Sequence, residues 1–194
     1  MHPSPMVLNH GKRLSIEEFG ASFREAWSRS RSRILKLECW QAYQEQPHNV
    51  SQRAYQRGDI EEARALLAQE AEKDRPLYQD IAARGLDYAR IRVVQEPLTD
   101  YLAYEAMSYR IRASMGESIF IVVVDDRIRL PNAELFDLLL FDRHTALVHD
   151  YGLGEVGAQT GGWLVRDEQT IKLLEETALS ARNRAIPLAR YIAS

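Results

Sequence analysis

Ile119–Val124, IFIVVV, is the longest purely apolar run in the chain and the feature that most restricts its fold. Residues this rich in β-branched side chains favour a strand, and the run has the length of an ordinary one. It falls far short of the roughly 20 residues that cross a bilayer. A strand without polar alternation calls for burial on both faces, as in the middle of a sheet covered by helices on each side. The run therefore predicts a central strand over 117–125.

The rest of the chain supplies the other layers. Ser15 and Glu18 have the spacing of a capping box, and Ile16, Phe19, Phe23, Ala26 and Trp27 follow at helical intervals. Residues 34–40, ILKLECW, alternate as a short strand, and 41–50, with Pro47 and Asn49, read as loop or a broken helix. A helical block follows over 51–84. Asp59 is placed to cap its main helix, Glu61 and Glu62 suit that helix's positive end, Pro76 opens another helix and Gly85 closes it. Residues 88–95 form a second strand. Pro97 suits the first helical position, with Glu96 at the cap, and this helix runs to Met115 before Gly116. Strands over 136–141 and 146–151 flank Arg143-His144 as an antiparallel hairpin. A short edge strand is expected over 163–165, and Asp167 caps a last helix, interrupted at Pro187. This order predicts an α/β (or α+β) protein. Its mixed sheet has five to six strands with flanking helices, a helical insertion and a C-terminal helix. Residues 1–14 are expected to be a flexible tail and 15–194 a single domain.

Composition narrows the function classes. A chain of 194 residues that is 45% hydrophobic has enough apolar surface to fold, and its net charge of −3 supplies no global field for nucleic acid. Cys39 is the sole cysteine, so no intrachain disulfide can form, which fits a reducing compartment. The N-terminus lacks the apolar core of a signal peptide. A cytoplasmic location without membrane contact is expected.

The candidate sites are few. At the junction of the 88–95 strand and the next helix, Tyr101, Glu105, Ser108 and Arg112 fall on one helical face. With Tyr104, and with Arg92 and Glu96 from the strand end, they could line a groove beyond the strand's carboxyl end, where ligands bind in open α/β sheets. The competing reading is an internal network in which Arg92 or Arg112 pairs with Glu105 under the tyrosines. Asp125, Asp126, Asp137, Asp142 and Asp150 stand at strand ends. Asp142 and Asp150, across the hairpin, are the better pair for a divalent metal, against the simpler role of turn formation. No metal or cofactor is assigned. His144 and His149 share the hairpin, His2, His10 and His48 are expected to be exposed, and a Cys39–His149 dyad would need the fold to join them. Gly152, Gly154 and Gly157 have the G-x-G-x-x-G spacing without the strand-turn-helix context of a phosphate loop. Ser28 to Arg33, SRSRSR, is a short basic tract whose plain reading is a solvated helix end.

Several blocks carry a family likeness. RIRVVQEPLTDYLAYE (90–105), GESIFIVVVD (116–125), LFDLLLFD (135–142) and VHDYG (148–152) resemble a domain-of-unknown-function family, number 6879, found mainly in actinomycetes. The resemblance spans residues 15 to 192, and the 51–84 segment is longer than the usual pattern. It implies an intracellular protein encoded near helix-turn-helix regulators, with such a regulator as a protein partner. A looser fold analogy is to degenerate phospholipase-D-like domains. Their H-x-K-x-x-x-x-D motif is missing, since Thr145 and Ala146 follow His144.

The leading expectation is a non-catalytic regulatory or signalling module acting through a protein partner or small ligand. One alternative is an enzyme of specialised metabolism using Arg92, Glu96, Tyr101, Tyr104 and Glu105. The other is a degenerate nuclease-like domain that binds nucleic acid through Arg29, Arg31 and Arg33.

Overall fold

The computed structural model describes residues 3–43, 49–152 and 158–193. Among them, one mixed sheet contains β1 (Gly11–Leu14), β2 (Arg33–Glu38), β3 (Asp87–Gln95), β4 (Ile119–Val124), β5 (Leu138–Phe141), β6 (Thr145–Asp150), β7 (Gly161–Val165) and β8 (Ile186–Pro187). The spatial order is β1-β7-β6-β5-β2-β3-β4-β8. The strands β2, β3 and β4 run parallel to one another, and the other pairings are antiparallel. The helices are α1 (Pro5–His10), α2 (Ile16–Arg29), α3 (Val50–Gln56), α4 (Ile60–Glu72), α5 (Arg75–Arg84), α6 (Asp100–Ser114), α7 (Glu168–Arg184) and α8 (Leu188–Ala193). The α/β class and flanking helices are as expected. The strands outnumber the five to six predicted.

The two unforeseen strands are short. Both α1 and β1 fall in the stretch expected as a tail, yet Val7 and Leu14 are buried and β1 pairs along β7. GKRL shows no alternation, so its strand character comes from the partner. Likewise β8 is two residues long and pairs with Phe120 and Ile121 after α7 ends. As a result Gly161–Val165, expected at an edge, lies between β1 and β6.

The apolar run is not central. Only two-residue β8 lies outside β4, and Val123 is 47% exposed. Strands β5, β2 and β3 occupy the middle, and β3 reads DYARIRVVQ. An uninterrupted apolar sequence reported burial between α7 and α8 along the first part of β4, not position in the sheet.

Local signals held where a cap defines a helix. Ser15 and Glu18 form the capping box of α2. Asp59 and Asp167 accept from backbone N–H groups at the starts of α4 and α7. Gly85 ends α5 with φ of 62°, the left-handed region that suits glycine. The exception is Pro97: α6 begins at Asp100 under a Thr99 cap, and the Glu96-Pro97 bond is cis. Pro97 thus lies in the turn before the helix, and Glu96 is not its cap.

Because side chains alternate across a strand, each sheet face has its own composition. Against α7, the face is apolar: Leu35, Leu37, Ile91, Val93, Leu138 and Val148 pack on Ile171, Leu174 and Ala178. The opposite face carries two separate apolar clusters. One joins α2 to Ile34, Leu139, Phe141 and Leu147, and the other joins α6 and α8 to Val94, Ile119 and Ile121. Lys36, Glu38, Arg90 and Arg92 lie between them.

Candidate functional site

Register creates this polar strip. Lys36 pairs with Arg90 and Glu38 with Arg92 across β2 and β3. Four charged side chains thereby share the same face of two central strands. Asp137 precedes β5 and His149 lies near the end of β6, extending the strip laterally, and the N–H of His149 donates to the Asp137 carbonyl at 3.0 Å.

At the Arg90 end every charge has an opposite partner. Nε of Arg90 donates to Glu117 at 2.7 Å and Nη1 to Glu38 at 3.0 Å. Lys36 also meets Glu38, at 2.6 Å. Tyr78 and Tyr88 each donate to Glu117 at 2.9 Å, and Tyr109 donates to Glu38 at 3.1 Å. Burial works to raise the pKa of Glu38, but Arg90, Lys36 and Arg92 outweigh it and hold the carboxyl well below its ordinary value. Glu117 is likewise lowered, with burial outweighed chiefly by Arg90.

The Arg92 end is different. Arg92 is fully buried, with 0% of its surface exposed. Nη1 donates to the Tyr43 hydroxyl at 3.0 Å and Nη2 to the Trp40 carbonyl. Both acceptors are neutral. Among the described residues, no carboxylate oxygen forms an ion pair with Arg92, and Nε has no hydrogen-bond partner. Tyr43 also donates to Asp137, which accepts from Tyr151 at 3.1 Å and from the N–H groups of Cys39 and Trp40 at 2.6 and 3.2 Å. Burial raises the pKa of Asp137 despite the nearby Arg92. Beyond it, His149 stacks on Tyr151 with an interplanar angle of 3°. Burial, then Lys36, pushes the imidazole pKa down to about 3, and Nδ1 is enclosed without a partner among the described residues.

Beside Arg92, between β3, β4, α6 and α8, lies a hollow of about 300 Å³. Arg92 forms part of its wall with Val94, Leu102, Ala106, Ile121 and Leu188. Glu96, Arg110 and Tyr191 also line it, and the Tyr191 hydroxyl donates to Glu96 at 3.0 Å.

The expected junction stripe is not one groove. Tyr104 turns to α3, where its hydroxyl lies 2.8 Å from Ser51 Oγ. Arg112 donates to Ser108 at 3.1 Å and pairs with Asp74 beside α5. Its ion-pair partner is therefore Asp74, a residue of the helical block that sequence spacing could not bring alongside. Tyr101 packs edge-on against Tyr43 at 5.4 Å. Glu105 stands half-buried on α6, close enough to raise the pKa values of Tyr104 and Tyr109. Arg92 and Glu96 share the hollow with α8 instead. Sequence reasoning missed Tyr43, Tyr109 and Tyr191, and weighed Asp137 only as one of the strand-end acids. The tyrosines had no local signal, whereas Asp137 was visible as an acidic residue at a strand end.

Other expectations are corrected by the pleat. Cys39 packs with the α7-side core, while His149 is two residues on from Leu147 of the α2-side core, so they lie on opposite faces and form no dyad. Asp142 and Asp150 flank opposite ends of the β6 strand and cannot share a metal ion. Asp142, at φ of 51°, accepts from the N–H groups of Arg31, Ser32 and Arg33, and Asp150 pairs with Arg13 at 2.6 Å. Among the described residues no group of three or more His, Cys, Asp or Glu is placed to hold a metal ion. In the basic tract, Arg33 pairs with Glu175 and Arg29 with Glu25. Gly152 turns the chain with φ of 70°, while Gly154 and Gly157 lie outside the described residues, as do His2, Pro47 and His48. No described helix is long and apolar enough to cross a membrane.

These features define an α/β protein with a mixed sheet, one of whose faces carries a buried charged strip with a hollow beside it. The chain belongs to a domain-of-unknown-function family, DUF6879, whose profile matches residues 21–193. No curated protein matches it. Among solved structures, TrmBL2, an archaeal chromatin protein described as showing a novel mode of DNA binding, is similar at a TM-score of 0.44 and 12% identity. The match covers 91% of this chain and 52% of that one, so the chain spans about half the length of TrmBL2. At that similarity no property of TrmBL2 carries over.

Proposed function

We propose that this protein is a non-catalytic regulatory or signalling module that binds a small ligand where β3 meets α6 and relays its presence to a protein partner. The observation that carries the reading is the hollow between β3, β4, α6 and α8, whose wall includes Arg92, a fully buried arginine with Nε unmatched among the described residues. An enclosed donor without an acceptor costs roughly 1–3 kcal/mol. A ligand that supplies the acceptor offsets that cost, so occupancy is coupled to stability. Binding is favoured over catalysis because two of the polar groups expected to converge here are spent elsewhere, Tyr104 on Ser51 and Arg112 on Asp74, and Glu96 is already bonded to Tyr191 within the lining. The interior placement of the single cysteine suits a cytoplasmic setting. A helix-turn-helix regulator is the partner class that the family resemblance implies.

Thermal unfolding against a panel of sugars, amino acids, nucleotides and organic acids tests the reading. At least one compound is expected to raise the Tm of the wild type and to leave Arg92→Met unchanged. Equal shifts in both proteins, or none in the wild type, would count against it. A nuclease-like role for Arg29, Arg31 and Arg33 has less support, given the Glu25 and Glu175 pairs. Salt-sensitive retardation of DNA that is lost on replacing all three arginines would reverse that ranking.

A further inference from the structure

We infer that the protein binds a methylated ammonium head, free in a choline-like compound or carried on a lysine side chain, in a second hollow where three tyrosines of α3 and α6 meet Asp100. This hollow lies on the other face of α6 from the one beside Arg92. Asp100, Tyr101 and Tyr104 line it, whereas Leu102, Ala106 and Tyr109 line the first. Binding here does not require the first hollow to be occupied.

Aromatic rings build the site. The hollow measures about 410 Å³ and has Tyr55, Tyr101 and Tyr104 in its wall. The ring of Tyr104 lies 5.5 Å from that of Tyr55 and 6.0 Å from that of Tyr101, inclined by 54° and 63°. Tyr104 is buried, but Tyr55 and Tyr101 are only half-buried, so a solute can reach part of both. Tyr43 packs edge-on against Tyr101 at 5.4 Å, and Ser51 Oγ lies 2.8 Å from the Tyr104 hydroxyl. These contacts hold the rings in place before a ligand arrives, which lowers the cost of binding. The faces of such rings are electron-rich and attract a cation.

The surrounding charge has the matching sign. Asp100 is exposed in the wall and forms no ion pair among the described residues. Glu70 and Glu105 lie close enough to act on Tyr104. Among the described residues no lysine or arginine lines the hollow, and Arg57 at the end of α3 is paired with Glu62 at 2.8 Å. Methylation follows from the same lining. A compact primary ammonium is strongly hydrated, and aromatic faces give it few acceptors in exchange for its water. A trimethylammonium head spreads its charge over methyl groups that can pack on the rings and on Ile60.

The test uses isothermal titration and isotope-filtered NOE spectra on the full chain. Choline is compared with 3,3-dimethylbutan-1-ol, in which carbon replaces the charged nitrogen, and with ethanolamine, which keeps the charge and lacks the methyls. Choline is expected to bind at least about tenfold more tightly than either. Its N-methyl protons should show NOEs to the rings of Tyr55 and Tyr101. Tyr55→Leu should weaken choline about tenfold, and Asp100→Asn should weaken it severalfold. Asp100 is exposed, so that variant and the NOEs keep the test decisive if Tyr55→Leu fails to fold. A short peptide bearing trimethyllysine separates the two sources. Tighter binding than choline assigns the head to a protein partner, and equal or weaker binding assigns it to a free compound. Equal binding of choline and its neutral isostere would overturn the cation assignment. Binding of neither choline nor the peptide, or NOEs to other residues alone, would overturn the site itself.

Discussion

Arg90 and Arg92 stand two residues apart on the same face of the same strand, yet they do different things. Arg90 closes a saturated network in which Glu38 and Glu117 receive bonds from arginine, lysine and tyrosine. Arg92 is more deeply buried, but its partners are a hydroxyl and a carbonyl, and one nitrogen is unmatched among the described residues. Burial alone therefore does not mark a structural residue. What separates the two is whether carboxylates bond the guanidinium directly: Glu38 and Glu117 do so at Arg90, whereas Glu38 and Asp137 act on Arg92 without bonding it. A completed network fixes the packing of α5 and α6 on the sheet, through Tyr78 and Tyr109. An incomplete one stores a cost that a second molecule can relieve.

The largest effect is expected at the completed end. Arg90→Met leaves the buried Glu117 without its cation and Glu38 with Lys36 alone, and should cost roughly 3–5 kcal/mol. Denaturant unfolding measures it, and a loss below that of Arg92→Met would break the comparison. Arg92→Met should cost less, roughly 1–3 kcal/mol, because it removes hydrogen bonds to neutral groups. The same variant should lose ligand-induced stabilisation, which separates a binding role from a packing role.

A pH effect sharpens the comparison further along the strip. The pKa of His149 is depressed from 6.5 to about 3 in the folded protein. The unfolded chain therefore takes up a proton first on acidification. The stability that His149 contributes is full above its unfolded value of 6.5 and is lost progressively as pH falls towards 3. His149→Phe should flatten this part of the stability–pH profile. An unchanged slope would show that the ring is not held neutral by burial. The smallest effect belongs to Arg110→Ala. As an exposed helix position it should change stability by less than about 0.5 kcal/mol, which denaturant unfolding measures.

Much of the architecture was legible because its signals are local. A capping side chain and the N–H groups it satisfies lie within one turn, so Ser15, Asp59 and Asp167 marked helix starts correctly. Pro97 misled because the same residue suits a helix start or a turn before one, and the choice depends on what Thr99 and Gln41 do: Thr99 caps α6 and donates to the Gln41 carbonyl. At the candidate site Arg92 and Glu96 were legible as polar residues at a strand end. Their separation from Tyr104 and Arg112 was not, because Ser51 and Asp74 reach those side chains from helices far away in sequence.

The sequence by itself determined the α/β class, six of the strands, the helix caps and the cluster of polar residues over 90–112. Each depends on periodicity or on contacts a few residues apart. Tertiary structure alone decided that IFIVVV sits beside the sheet's edge, that GKRL and Ile186-Pro187 become strands, and that Arg90 meets carboxylates while Arg92 does not. Those outcomes follow from strand order and from the register between β2 and β3. Two arginines with the same local spelling acquire different chemistry only when distant residues are brought to one of them and not to the other.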